Sequence, residues 1–112
     1  MDIRRYDILM ADMSGTIGSE QGGLRPVVVI QNDIGNRFST TTIVAVVTSE
    51  NKKDLPTHIK INYGEKGSII LCEQIFTISK KKIHYTPAPS YVLNEKEKEE
   101  LNKALKVSLG LS

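Results

Sequence analysis

Apolar positions along the chain fall into short blocks separated by polar, glycine-rich breaks, and the period changes only at the end. Residues 6–13 set Tyr6, Ile8 and Met10 against Asp7, Leu9 and Ala11, a two-residue period that predicts a strand with a partly polar second face. Residues 26–30 and 41–47 are continuous Val/Ile-rich runs bounded by turn residues, which predicts strands buried on both faces. Gly35-Asn36 between them is a turn signal, and 51–55 is a polar connection. Residues 57–63 alternate again, with His58, Lys60 and Asn62 opposite Ile59, Ile61 and Tyr63. Gly64-Glu65-Lys66-Gly67 makes a turn. Residues 68–78 are strand-like, with Glu73-Gln74 interrupting the apolar run at a bend. Residues 83–85 form a short last strand, after which Pro87 and Pro89 end the sheet region.

From Asn94 the period becomes helical. Asn94 and Glu97 have the spacing of a capping box, and Gly110 stands where a helix stops. Leu101, Ala104, Leu105 and Ser108 share one face, so the helix is expected to lie on the sheet through Leu101, Leu105 and Leu109. Five or six short strands with local connections and one terminal helix give a mainly β, α+β fold, a small partly open β-barrel. Its exposed edges favour a homodimer. At 112 residues the chain is expected to be a single domain, 1–112.

Composition narrows the class. Hydrophobic residues make up 39% and charged residues 25%, as in a soluble globular protein. No apolar run reaches the ~20 residues of a membrane span, and the start lacks the apolar core of a secretory signal. A single cysteine, Cys72, excludes an internal disulfide and a multi-thiolate metal site, so a reducing cytoplasm is the expected compartment. Net charge is only +2, too little to mark a strong duplex binder. A briefly held single strand needs only local clusters such as Lys52-Lys53 and Lys80-Lys81-Lys82.

Most chemical motifs are missing. There is no His-x-x-x-His pair, no P-loop and no nucleophile elbow. His58 and His84 could act together on a phosphodiester, but the local pattern reads them as surface histidines. The informative stretch runs from Gly18 through Ser19-Glu20-Gln21-Gly22-Gly23-Leu24 to Arg25-Pro26: a polar loop, a double glycine, then an arginine at the mouth of a buried strand. A guanidinium there offers planar, bidentate donors to a phosphate, or it pins the loop by pairing with Glu20 or Asp12. Composition does not choose. Thr48 ends the next apolar run. If the two strands are neighbours with aligned ends, Arg25 and Thr48 face one phosphate.

On these residues the sequence resembles the MazF/PemK-type toxins of bacterial toxin–antitoxin modules. The block from Gly18 to Asp33 is similar to the family signature nearly letter for letter. Arg5-Tyr6-Asp7-Ile8 matches its opening strand, with Tyr6 where Gly is usual. Thr48, Leu55-Pro56-Thr57-His58, Leu71-Cys72-Glu73-Gln74-Ile75 and Ser108-Leu109-Gly110-Leu111 follow in the expected order. The resemblance implies an SH3-like barrel, a homodimer, and a sequence-specific endoribonuclease that needs neither metal nor other cofactor. Such an enzyme cuts single-stranded RNA, chiefly mRNA, by attack of the substrate's own 2′-hydroxyl, and a cognate MazE-type antitoxin neutralises it. It implies Arg25 and Thr48 as the catalytic pair, with Glu20 as a base or loop anchor. Because arginine stays charged across the physiological range, Arg25 is expected to stabilise phosphoryl charge rather than carry protons. Base and strand recognition falls to Ser19, Gln21, Asn32, Lys53, Glu73 and Gln74. The same fold also serves non-catalytic toxins that bind DNA gyrase, but these lack the Gly18-to-Pro26 block.

Overall fold

The computed structural model describes residues 2–16 and 23–111. Chain order is β1 (Asp7–Asp12), β2 (Leu24–Val29), α1 (Asp33–Phe38), β3 (Thr41–Thr48), β4 (His58–Ile61), β5 (Ser68–Ser79), a 3-10 turn at Lys80–Lys82, β6 (Ile83–His84), β7 (Tyr91–Val92) and α2 (Glu95–Leu109). One curled antiparallel sheet carries all seven strands in the order β4-β5-β3-β2-β1-β6, with β7 also on β1. It forms a half-barrel.

The Val/Ile runs behave as their pattern predicts. Val27, Val28 and Val29 are fully buried, as are Val44 and Ala45. Alternate residues feed two cores. Leu9, Ala11, Val27, Val29, Val44, Val46, Ile69 and Leu71 pack on one face. Ile8, Val28, Ala45, Ile59, Ile61, Ile70 and Cys72 pack on the other, under Leu101, Ala104 and Leu105 of α2.

The helix ends follow their residues too. Asn94 Oδ1 accepts from Glu97 N at 2.8 Å while Glu97 Oε1 accepts from Asn94 N at 2.9 Å, a closed capping box. Gly110 closes α2 in the left-handed region at φ 70°. Buried Glu97 also accepts from Asn62 N and from the Tyr91 hydroxyl, both at 2.8 Å, tying the helix start to two further segments.

Four expectations are corrected. The Gly35-Asn36 turn is a six-residue helix, capped by Asn32, whose Oδ1 accepts from Gly35 N. The sheet does not end at Pro87 and Pro89, because Tyr91-Val92 returns to pair with Ile8 and Asp7. With β7 there are seven strands among the described residues, not five or six. Leu109, the last residue of α2, does not pack: it is 58% exposed. Ser108 makes the last link instead, donating its hydroxyl to the Cys72 carbonyl at 2.6 Å.

Polar groups pin the β2–β3 connection. Asn36 is buried, and its Oδ1 accepts from the Thr42 hydroxyl at 2.7 Å and from Gln31 Nε2 at 3.1 Å. Its Nδ2 donates to the Gln31 carbonyl at 2.8 Å. The Lys80 ammonium donates to the Asn36 carbonyl.

Candidate active site

Strand register decides whether Arg25 and Thr48 meet. Val29, Val28 and Val27 of β2 face Val44, Ala45 and Val46 of β3. The ladder stops there, next to Pro26, which has no N–H to give. Continued two residues past that last pair, the same register points Arg25 toward Thr48. Both fall on the face of the first core, since Arg25 alternates with Val27 and Val29, and Thr48 with Val44 and Val46. On the far side Arg25 faces Ala11, and Thr48 faces Ile69.

Neither side chain is committed to the core. Arg25 is half-buried, and among the described residues no hydrogen bond or ion pair holds its guanidinium. The Asp12 carboxylate is occupied elsewhere: Oδ1 accepts from Ser14 N at 2.9 Å, and hydrogen bonds from Ser14 hold its pKa below the usual range. Thr48 is buried, with its Oγ1 accepting from Glu50 N at 3.1 Å, which turns the chain out of β3. The accepting oxygen leaves the hydroxyl proton free for a ligand.

The polar loop springs from the same place. Met13 N donates to the Gly23 carbonyl at 3.1 Å, and Gly23 N donates to Ser14 Oγ at 3.0 Å. Gly23 sits at φ 77°, which explains a glycine where the loop re-enters β2. Ser19, Glu20 and Gln21 lie outside the described residues.

Glu73 and Gln74 sit on a bulge. Val46 faces Leu71, but the adjacent Ala45 faces Ile75, so Cys72, Glu73 and Gln74 have no partners on β3. The bulge carries the apolar positions of β5 from Ile69 and Leu71 to Phe76 and Ile78 on the same face. It is stitched to the segment before β4: Cys72 N donates to the Thr57 carbonyl at 2.9 Å, and the Thr57 hydroxyl donates to Glu73 Oε1 at 3.0 Å. His58 completes the cluster. Its Nε2 lies 2.8 Å from Glu73 Oε2, and its Nδ1 lies 2.7 Å from the Lys53 carbonyl. Burial pulls the His58 pKa down, but the Glu73 and Lys53 bonds outweigh it and raise the value. Burial pushes Glu73 up, but the His58 and Thr57 bonds bring it below the ordinary range. Burial pushes the neighbouring Cys72 thiol up to about 12.

The structure therefore brings the Lys53 carbonyl and the Glu73 carboxylate to His58, with Gln74 next to Glu73 on the bulge. His58 faces Leu71, which in turn faces Val46, one row from Ile69 and Thr48 and on the same face. Asn32 stands apart. About 13 Å of strand rise separates Arg25 from Val29, and Asn32 lies beyond that, its side chain capping α1. A cavity of ≈ 580 Å³ is built around α1, with Arg4, Asp33, Arg37, Phe38, Lys80 and Tyr85 in its walls, and none of the sequence-predicted site residues line it. The cavity and the β2–β3 strand ends are therefore separate features of the surface.

The surface reading of His58 is corrected: its side chain is 9% exposed and bonded through both nitrogens. No sequence pattern signals this, because Glu73 is 15 positions away and the other partner is a backbone carbonyl.

A family model for the PemK-like, MazF-like toxin of type II toxin–antitoxin systems matches residues 4–109. The chain is 48% identical over 116 aligned positions to endoribonuclease EndoA of Bacillus subtilis, covering 99% of this chain and 97% of that protein. It is 46% identical to endoribonuclease MazF of Staphylococcus saprophyticus, covering 97% and 92%. Among solved structures, a mycobacterial endoribonuclease in complex with its cognate antitoxin superposes with a TM-score of 0.81 at 17% identity, covering 98% of this chain and 97% of that one. MazF from Deinococcus radiodurans superposes with a TM-score of 0.80 at 18% identity, covering 99% of each chain. These two share the fold.

Proposed function

Since the chain belongs to the PemK-like, MazF-like toxin family of type II toxin–antitoxin systems, we propose that the paired ends of β2 and β3 are where it cuts RNA, with Arg25 and Thr48 as the catalytic pair. The protein is a sequence-specific endoribonuclease toxin, neutralised by a MazE-type antitoxin. The reading of the site is supported above all by strand register: continued past its last pair, the β2–β3 ladder points a cation and a hydroxyl at one row and one face, beside the base of a polar loop.

The chemistry follows from that pairing. The substrate's 2′-hydroxyl attacks the adjacent phosphorus, and the bond to the 5′-oxygen of the next nucleotide breaks. The hydroxyl proton leaves to a base, the departing oxygen gains a proton, and the products are a 2′,3′-cyclic phosphate and a 5′-hydroxyl. Negative charge grows on the non-bridging oxygens during attack. Arg25 donates to them, and Thr48 adds its hydroxyl proton to the same phosphate. Glu20, five positions before Arg25 in the sequence, is the base or the group that fixes the loop. Ser19 and Gln21 address bases next to the cut, Lys53 a flanking phosphate, and Glu73 and Gln74 a base edge at the bulge. Asn32 meets nucleotides several steps away. Two protomers pair, and the reaction runs in the cytoplasm without a metal ion.

The test is cleavage of a mixed RNA pool in EDTA with mapping of ends. Discrete cuts bearing 5′-hydroxyls are expected, with Arg25→Ala slower by about 10²–10³ and 2′-deoxy substrates intact. Random cuts, or full activity in Arg25→Ala, would reject the assignment.

A further inference from the structure

His58 is flanked by two groups that only accept. The Lys53 carbonyl lies 2.7 Å from Nδ1, and a Glu73 carboxylate oxygen lies 2.8 Å from Nε2. A neutral imidazole has one N–H and one lone pair, so it satisfies one of these partners and faces the other with a lone pair. Only the doubly protonated ring donates to both. The geometry thus selects an imidazolium, and the direction of its pKa agrees.

The two partners belong to different parts of the site. Lys53 lies in the segment between Thr48 and β4, and Glu73 lies on the β5 bulge. We propose that His58 is a positioning residue: its imidazolium bolts the 49–57 segment to the bulge, orienting Lys53 toward the RNA backbone, and loss of one ring proton releases the segment. This rests on the RNA-cleaving reading given above.

The charges facing the ring are few. Glu73 comes from β5, and Lys52 from the segment itself acts against protonation. Lys52 is drawn off toward Glu50, 3.1 Å away. On β4, Lys60 pairs with Asp54 at 3.6 Å, both far out in solvent. Glu73 is therefore the dominant partner, and the Thr57 hydroxyl on its second oxygen keeps it aimed at the ring. Thr48 does not depend on the bolt, since its own turn closes through Glu50 N. Release should therefore weaken substrate binding and spare the chemical step.

The experiment follows cleavage of a fluorescent single-stranded RNA from pH 5.5 to 9 in the full chain and in His58→Gln. In the wild type, KM should rise roughly 10-fold as pH passes through the His58 pKa, the worth of one charge-assisted hydrogen bond, with kcat within about twofold of what the chemical step alone gives. In His58→Gln this KM change should vanish, leaving the weaker value at every pH. A wild-type KM profile retained in His58→Gln overturns the proposal. Two further readouts need no catalysis and so separate this idea from the ribonuclease reading. Long-range imidazole NMR, simple with only two histidines, should show both His58 nitrogens protonated at pH 6 and a pKa above 6.5. Amide hydrogen exchange, corrected for its intrinsic pH dependence, should show protection of the His58 and Cys72 amides, which donate to the Leu55 and Thr57 carbonyls of the segment, falling as that proton leaves. A neutral His58 at pH 6, or protection indifferent to its titration, refutes the proposal whatever the RNA assay gives.

Discussion

Tyr6 carries a backbone angle that its side chain resists. Its φ of 78° is the sole positive value at a non-glycine position among the described residues, at a site where the resembling family uses glycine. The ring makes up for it. Its hydroxyl donates to Asn102 Oδ1 at 3.0 Å, and the Arg5 guanidinium and Lys98 ammonium lie 5.1 and 5.2 Å from the ring centre. Tyr6 thereby straps β1 to α2. Two substitutions separate strain from packing. Tyr6→Phe should cost about 1 kcal/mol, the worth of the hydroxyl's hydrogen bond. Tyr6→Ala should be less stable than Tyr6→Gly by about 1 kcal/mol, since both lose the ring but only Gly sheds the left-handed strain. Urea melts of the three variants check this. Cys72 offers a second test at this scale. Buried, with its pKa pushed up to about 12, it should resist alkylation in the native protein at pH 8 and react only on unfolding.

Among the elements, α2 is the one whose residues announce it most fully. Asn94, Glu97 and Gly110 state both ends in sequence, and both are found. Its hidden feature is the load on Glu97, which is buried and satisfies three donors from three segments. Asn94→Ala should cost about 1 kcal/mol. Glu97→Ala should cost more, about 2–4 kcal/mol, because several donors lose their acceptor in a dry place. Chemical denaturation midpoints of the pair give the order. Elements that escaped the sequence were short ones. Six residues containing Gly35 show no helical period, so α1 reads as a turn. Two residues after a proline pair show no alternation, so β7 vanishes. The bulge was half legible: Glu73-Gln74 broke the apolar run, but only pairing shows that three residues swing clear of β3.

At the scale of the molecule, pH should act through the His58–Glu73 pair. A raised histidine pKa means stability that is complete below its ordinary 6.5 and lost as pH climbs through the folded value. A lowered glutamate pKa means stability present above its ordinary 4.5 and lost as pH falls through the folded value. The pair should thus contribute most between about pH 4.5 and 6.5, and His58→Gln should narrow the difference in melting temperature between pH 6 and pH 8. Charge at the Lys80–Lys82 turn gives another test. Lys80 is engaged with Asn36, whereas Lys81 and Lys82 are exposed. Reversing both to Glu should weaken RNA and an acidic antitoxin tail alike, with the salt slope for RNA falling by about 0.7 for each phosphate the protein no longer neutralises. Unchanged binding of both would count against a shared surface. The Arg25 and Thr48 half of the proposed site was legible as a pair of strand ends, and its catalytic reading came from the family resemblance. Arg25 and Thr48 stand where apolar runs stop. The His58 half was not, because its partners lie on another strand and on the backbone.

One consequence runs the length of the β2–β3 hairpin. Its strands are greasy on both sides, so a sideways slip would still bury valine against valine, and hydrophobicity does not choose the alignment. Asn36 does. Its amide fits Gln31 and Thr42 only in one setting, and everything down the ladder inherits that setting. An amide at the closed end of the hairpin thus acts as the index mark for the proposed meeting of a guanidinium and a hydroxyl at the open end. Asn36→Leu would leave the valines content and the proposed cutting edge misaligned.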